Sequence, residues 1–90
     1  MFIFETDDEV EYRSRVPSIV DRIRRIEIAA LIKSEDWRFD SYAEYKDPDG
    51  AVTFVVEFLR GPEDSDRDCS VLQFEGVVGT CEILRFEVML

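Results

Sequence analysis

The chain has 90 residues, 46% of them hydrophobic and 12% aromatic, enough apolar surface for one core without disulfide or metal staples. Its 21 acidic against 11 basic residues give a net charge of −10, which disfavours a broad phosphate-binding surface, because nucleic-acid affinity rests on Lys and Arg neutralising phosphates. With no histidine, imidazole bases, His-ligated metals and Ser/His or Cys/His nucleophile pairs are excluded.

Met1 to Glu5 reads as a short strand with Phe2 and Phe4 on one side. Two patterns then compete over residues 9–16. Thr6 with Glu9 resembles a capping box that would open a helix. Val10, Tyr12, Ser14 and Val16 instead alternate with Glu9, Glu11, Arg13 and Arg15 at the period of a strand. The balance tips to a strand pairing with Met1–Glu5 across a Thr-Asp-Asp turn, with the helix left open. Pro17 at a boundary and Ser18 as N-cap start a helix that runs to about Lys33. Ile19, Ile23, Ile26 and Ala30 line one face, Val20 lies beside it, and Asp21 and Arg25 form an i,i+4 pair. The closing "IEIAALI" is apolar nearly all round, which predicts burial of that end on more than one side.

From Trp37 the period changes to two. Phe39, Ser41, Ala43 and Tyr45 alternate with Asp40, Tyr42, Glu44 and Lys46, and "DPDG" marks a turn. Folding that turn about Pro48 and Asp49 sets Tyr45 opposite Val52, Ala43 opposite Phe54 and Phe39 opposite Phe58, with Glu44–Thr53 and Asp40–Glu57 on the other face. Parity places Trp37 with Phe39 in the core. Centring the last hairpin on Gly79 sets Phe74 opposite Leu84, Leu72 opposite Phe86 and Ser70 opposite Val88. The expected fold class is α+β, one helix packed on a four- to six-stranded antiparallel meander, with residues 1–90 as a single domain. The order of strand, helix and four sequential strands is similar to the cystatin-like layout, although the inhibitory glycine motif of cystatins is absent.

In "GPEDSDRDCSVLQFEG", Asp64, Asp66, Asp68 and Glu75 have the spacing of a calcium loop. Position six is Cys69 instead of the glycine a sharp turn needs, and position nine is Leu72. A strand over Cys69–Glu75 would also carry Glu75 away from Asp64. The expectation is a solvated surface loop with no metal or cofactor. Carboxylate-only catalysis through Asp40, Glu44 and Glu57 is not expected, since a water-facing sheet leaves carboxylates with ordinary acidity. Cys69 and Cys81 are expected as free thiols, because a hairpin centred at their midpoint, Glu75, breaks the apolar alternation. No apolar run reaches the ~20 residues of a membrane helix, and "MFIFETDDE" lacks a basic head, so cytoplasmic residence is expected.

The charge is uneven along the chain. Residues 17–34 carry four basic and two acidic side chains, whereas residues 35–75 carry twelve acidic and four basic. Tyr42 is expected on the polar sheet face among Asp40, Glu44 and Glu57, an arrangement suited to an Arg- or Lys-rich surface. The candidate binding residues are therefore Asp40, Tyr42, Glu44 and Glu57 from the face. Asp47, Asp49, Glu63, Asp64 and Asp66 join them from the loops.

"VLQFEGV" followed by "CEILRF" resembles a strand pair of small immunity proteins from bacterial polymorphic-toxin systems. The resemblance implies a cytoplasmic inhibitor that occludes a toxin, often an acidic protein against a basic nuclease; small phage-encoded anti-defence inhibitors share this profile of size and acidity. The expected function is a non-enzymatic, protein-binding inhibitor that covers a basic, nucleic-acid-binding surface of a partner protein. It would bind no nucleic acid directly and no membrane. The alternative is a structural homo-oligomer built through the final strand, "EILRFEVML", at a sheet edge.

Overall fold

The computed structural model describes residues 1–30, 37–61 and 69–89. In chain order the elements are β1 (Phe2–Thr6), α1 (Glu9–Arg15), α2 (Pro17–Ala29), β2 (Arg38–Lys46), β3 (Val52–Arg60), β4 (Ser70–Val77) and β5 (Glu82–Met89). The five strands form one antiparallel sheet in the order β1-β2-β3-β4-β5, and the two helices cover one of its faces. The class is α+β.

Residues 9–15 are helical, which corrects the strand reading. Asp8 caps α1 by accepting hydrogen bonds from the backbone N–H groups of Val10 (2.9 Å) and Glu11 (3.4 Å). Tyr12 and Val16, four residues apart, are buried, while Val10 is 73% exposed. The alternation seen in sequence was incidental to a helical i,i+4 pair. β1 consequently pairs with β2, not with residues 9–16. α2 starts at Pro17, whose missing N–H costs nothing at the first helical position, and Val16, not Ser18, is the N-cap. The burial stripe of α2 is Ile19, Ile23 and Glu27, with Ile26 partly buried. Ala30 lies outside that stripe and Ile28 is 68% exposed, so the described part of "IEIAALI" is not buried all round. The remainder of the expected helix, to Lys33, lies outside the described residues.

Both hairpins depart from the expected registers for identifiable reasons. At the β2–β3 turn Gly50 takes φ 91° and its N–H donates to the Asp47 carbonyl, while the Asp47 N–H donates to Ala51. The loop is thus Pro48–Asp49–Gly50, one residue longer than a turn on Pro48 and Asp49 alone. Tyr45 therefore faces Thr53, and Glu44 faces Phe54. A bulge at Asp40 then restores the expected Phe39–Phe58 pair. Between the two irregularities every side chain of β2 sits on the face opposite to the one expected. Tyr42 points into the core and Tyr45 is 40% exposed.

At β4–β5, Cys81 adopts φ 56° in the turn, outside the strand expected for it, and its N–H donates to Val78. The turn moves the partners by one residue and a bulge on β5 at Leu84 by one more, so Phe74 faces Phe86 and Leu72 faces Val88. Face parity survives a shift of two.

The core joins Tyr12, Ile19, Ile23 and Trp37 to Tyr42, Phe54, Val56, Leu72 and Phe74. Trp37 is core, as its parity predicted, with the Arg60 guanidinium 4.5 Å from its ring centroid. Neither cysteine is in a disulfide; Cys69 is buried and accepts from Arg38 Nη2 at 3.4 Å, and Cys81 is partly buried. Among the described residues no helix is long and apolar enough to cross a membrane.

Candidate functional site

Glu44, expected on the wet face, is only 4% exposed and lies beneath α1. Arg15 Nε donates to Glu44 Oε2 and Arg15 Nη2 to Oε1, each at 3.0 Å. The Tyr42 hydroxyl donates to Oε2 at 2.6 Å. The Arg15 guanidinium also lies 3.9 Å from the Phe4 ring centroid, clamped between strand and helix. These hydrogen bonds, Arg15's first, hold the Glu44 carboxyl below the usual carboxylate range, against the opposing effect of burial. Burial and the bond to Glu44 push the Tyr42 phenol up. A buried carboxylate satisfied by a forked guanidinium and a phenol fastens α1 to the sheet. Tyr42 and Glu44 are structural residues, and neither is presented to a partner.

Antiparallel pairing places directly opposed residues on one face, so the registers define what the uncovered side of the sheet displays. One row runs Ser41–Glu57–Gln73–Glu87, the next Glu5–Ala43–Val55–Glu75–Arg85, and a third Tyr45–Thr53–Val77–Glu82. Leu59 opposite Val71 closes the surface at the far end. Glu5, Glu57, Glu75, Glu82 and Glu87 share this face, opposed by Arg85 and, next to Leu59, Arg38. Arg85 donates to Glu75 at 2.7 Å, Gln73 donates to Glu57 at 2.8 Å, and Arg38 is turned toward the Gly61 carbonyl at 2.8 Å. Glu5, Glu82 and Glu87 are exposed and unpaired among the described residues. Val55, Leu59, Val71 and Val77 are partly buried between them.

Of the nine candidate residues, Glu57 lies in the middle of this face. Asp47 and Asp49 are exposed at the β2–β3 turn, where Asp49 Oδ1 accepts from the Ala51 N–H at 3.1 Å. Asp40 is the bulge residue, half-buried and already engaged in an interaction within the chain. Glu63, Asp64 and Asp66 lie outside the described residues, as does the calcium-like spacing they begin. Glu5, Glu75, Glu82 and Glu87 belong to the surface and were missed. Their signal was the strand alternation itself, followed across all five strands instead of within one hairpin.

A second concavity lies on the helical side. A cavity of about 400 Å³ is lined by Tyr12, Ile23, Trp37, Phe39 and Phe58, with Glu27 reaching it from α2. Glu27 is 6% exposed and has no hydrogen-bond or ion-pair partner among the described residues. Burial raises its pKa, and the Arg24 and Arg13 charges only partly offset this. Among the described residues no group of three or more His, Cys, Asp or Glu side chains is placed to hold a metal ion. Compared with protein-family models, curated proteins and solved structures, the chain shows no match.

Proposed function

We propose that the chain is a small acidic, non-enzymatic protein-binding inhibitor of the immunity or phage anti-defence kind, and that it works by covering a basic surface of a partner protein. The uncovered face of the sheet is the binding element. Five carboxylates from four of its five strands lie among two partly buried apolar pairs, Val55 with Val77 and Leu59 with Val71, which the Glu57–Gln73 row separates, and two guanidiniums oppose the acids. That juxtaposition carries the reading. Apolar area supplies affinity once it is shielded, and a predominantly negative surface steers a cationic partner and selects against acidic ones. Asp47 and Asp49 extend the same sign past the β2–β3 turn. The outer side of α2, with Arg22, Arg24 and Arg25 exposed, presents the opposite sign and suits such a partner poorly. The cystatin-like layout and residence in the cytoplasm belong to the same proposal.

Affinity capture from the native host tests it with three baits: the wild-type chain, the E5K/E57K double variant, and D21K as a control on the helical side. A basic protein held by wild type and D21K but lost from E5K/E57K is the expected result. Retention by all three baits, capture of an acidic protein, or no partner at all overturns the proposal.

A further inference from the structure

β5 is an edge of the sheet, and its outer backbone groups have no strand beside them among the described residues. It is eight residues long, whereas the other edge, β1, has five; both carry a register irregularity, between Phe2 and Phe4 in β1 and at Leu84 in β5. Natural proteins blunt long edges because an unpaired ladder recruits another strand. β5 has its bulge at Leu84, near its start, and from there on still exposes apolar side chains: Leu84 is 58% exposed, Phe86 44% and Val88 44%.

The order of side chains along this edge is self-complementary. When two antiparallel copies of β5 are centred on Phe86, Phe86 meets its own copy and Leu84 faces Val88. Arg85 then faces Glu87 on both sides of the axis. Centring one residue earlier sets Arg85 against Arg85, and one residue later sets Glu87 against Glu87. Like charges directly opposite one another are unfavourable, so the apolar match and the charge match select the same register. Both partners are available. Glu87 is exposed with no ion pair among the described residues, and Arg85 is 62% exposed with room in its fork beyond the Glu75 contact.

We infer that β5 pairs with β5 of a second copy of this chain, in antiparallel register about Phe86, to form a two-fold symmetric dimer with a continuous ten-stranded sheet. A two-fold normal to the sheet keeps both helical layers on one side. Phe86, which stacks on Phe74 at 5.7 Å between ring centroids, then becomes the middle of an aromatic row running through the interface. The two uncovered faces join into one surface. The dimer rests on β5 alone and stands whether or not a basic partner exists.

Sedimentation over a concentration series, with circular dichroism to verify folding, tests the register by charge exchange. The wild type is expected to dimerise. R85E and E87R each place like charges opposite one another twice and weaken the dimer by about tenfold or more, and the R85E/E87R exchange restores it. E87R is the cleaner single variant, since the Glu87 side chain has no hydrogen bond or ion pair among the described residues. A wild type that stays monomeric throughout the series overturns the inference. A dimer indifferent to either reversal, or one that the exchange fails to rescue, overturns the register.

Discussion

Two buried glutamates face opposite electrostatic fates. Glu44 has a forked guanidinium and a phenol, and its carboxyl is held below the usual range. It contributes stability above the carboxylate pKa of the unfolded chain, and that stability is lost as pH falls through its lowered folded value. Glu27 is buried with no hydrogen-bond or ion-pair partner among the described residues, and its pKa is raised by burial against the opposing Arg24 and Arg13 charges. Its folded form binds more protons than its unfolded form between the two pKa values, so its contribution declines as pH rises through that window. Glu27→Gln is therefore expected to stabilise the protein by roughly 1–2 kcal/mol at pH 7, and to change little below about pH 3, where both states carry a protonated carboxyl. Denaturant unfolding of the two proteins at both pH values checks it; an equal gain at each pH contradicts the assignment. Neither glutamate announced its burial in the sequence. Glu27 interrupts an apolar run at a position in step with Ile19 and Ile23, which was legible as helical phase but carried no sign that an acid would sit inside. Tyr42 and Glu44 lie on the side opposite to the one their alternation predicts, because one residue added to the turn reverses strand parity.

At the level of elements, the meander of β2 to β5, α2 and the core position of Trp37 were legible from period and turn chemistry. The local registers were not. "DPDG" fits both a two-residue and a three-residue loop, and only the positive φ of Gly50 decides between them. The bulge at Asp40 has no sequence mark, since a polar residue between Phe39 and Ser41 suits a regular strand equally well. For residues 9–15 a usable sign was present: Asp8 followed by Glu11 is a capping pair set two residues beyond the Thr6–Glu9 pair that was weighed. Gly76 gives the clearest expectation at this scale. It lies at the register shift between β4 and β5, where an added Cβ would collide with the Glu82 carbonyl oxygen and come within 2.9 Å of the Phe54 ring. Since backbone, not a flexible side-chain end, blocks the space, Gly76→Ala is expected to cost about 1–3 kcal/mol and to loosen β5 from β4. Thermal unfolding measures the loss and amide exchange along β5 locates it; an unchanged midpoint would show that the bulge relaxes freely.

For the whole molecule, the exposed side of α2 and the uncovered sheet face differ in sign, while α1 and its cap add Asp7, Asp8, Glu9 and Glu11 on the helical side. The side carrying α2 presents Arg22, Arg24 and Arg25, and the other side presents Glu5, Glu57, Glu75, Glu82 and Glu87. Glu44 is internal and Asp40 engaged, yet the sheet's sign survives, because its outer strands supply other acids. The net charge made an acidic surface legible, while its location depended on registers that only the fold provides. The acids are spread over strands packed at roughly 5 Å spacing, so those on neighbouring strands lie within about one Debye length of each other at physiological salt, while Glu5 lies about three spacings from Glu75 and couples to it only at low salt. At low salt they act on an approaching partner as one field. The most direct test is the association rate of the captured partner with the wild-type chain and with E5K/E57K, followed from about 0.05 to 0.5 M salt. The uncovered face predicts a wild-type rate that falls at least about tenfold across that range, and a variant that is slower at low salt and nearly flat. Parallel salt dependences for the two proteins would contradict it.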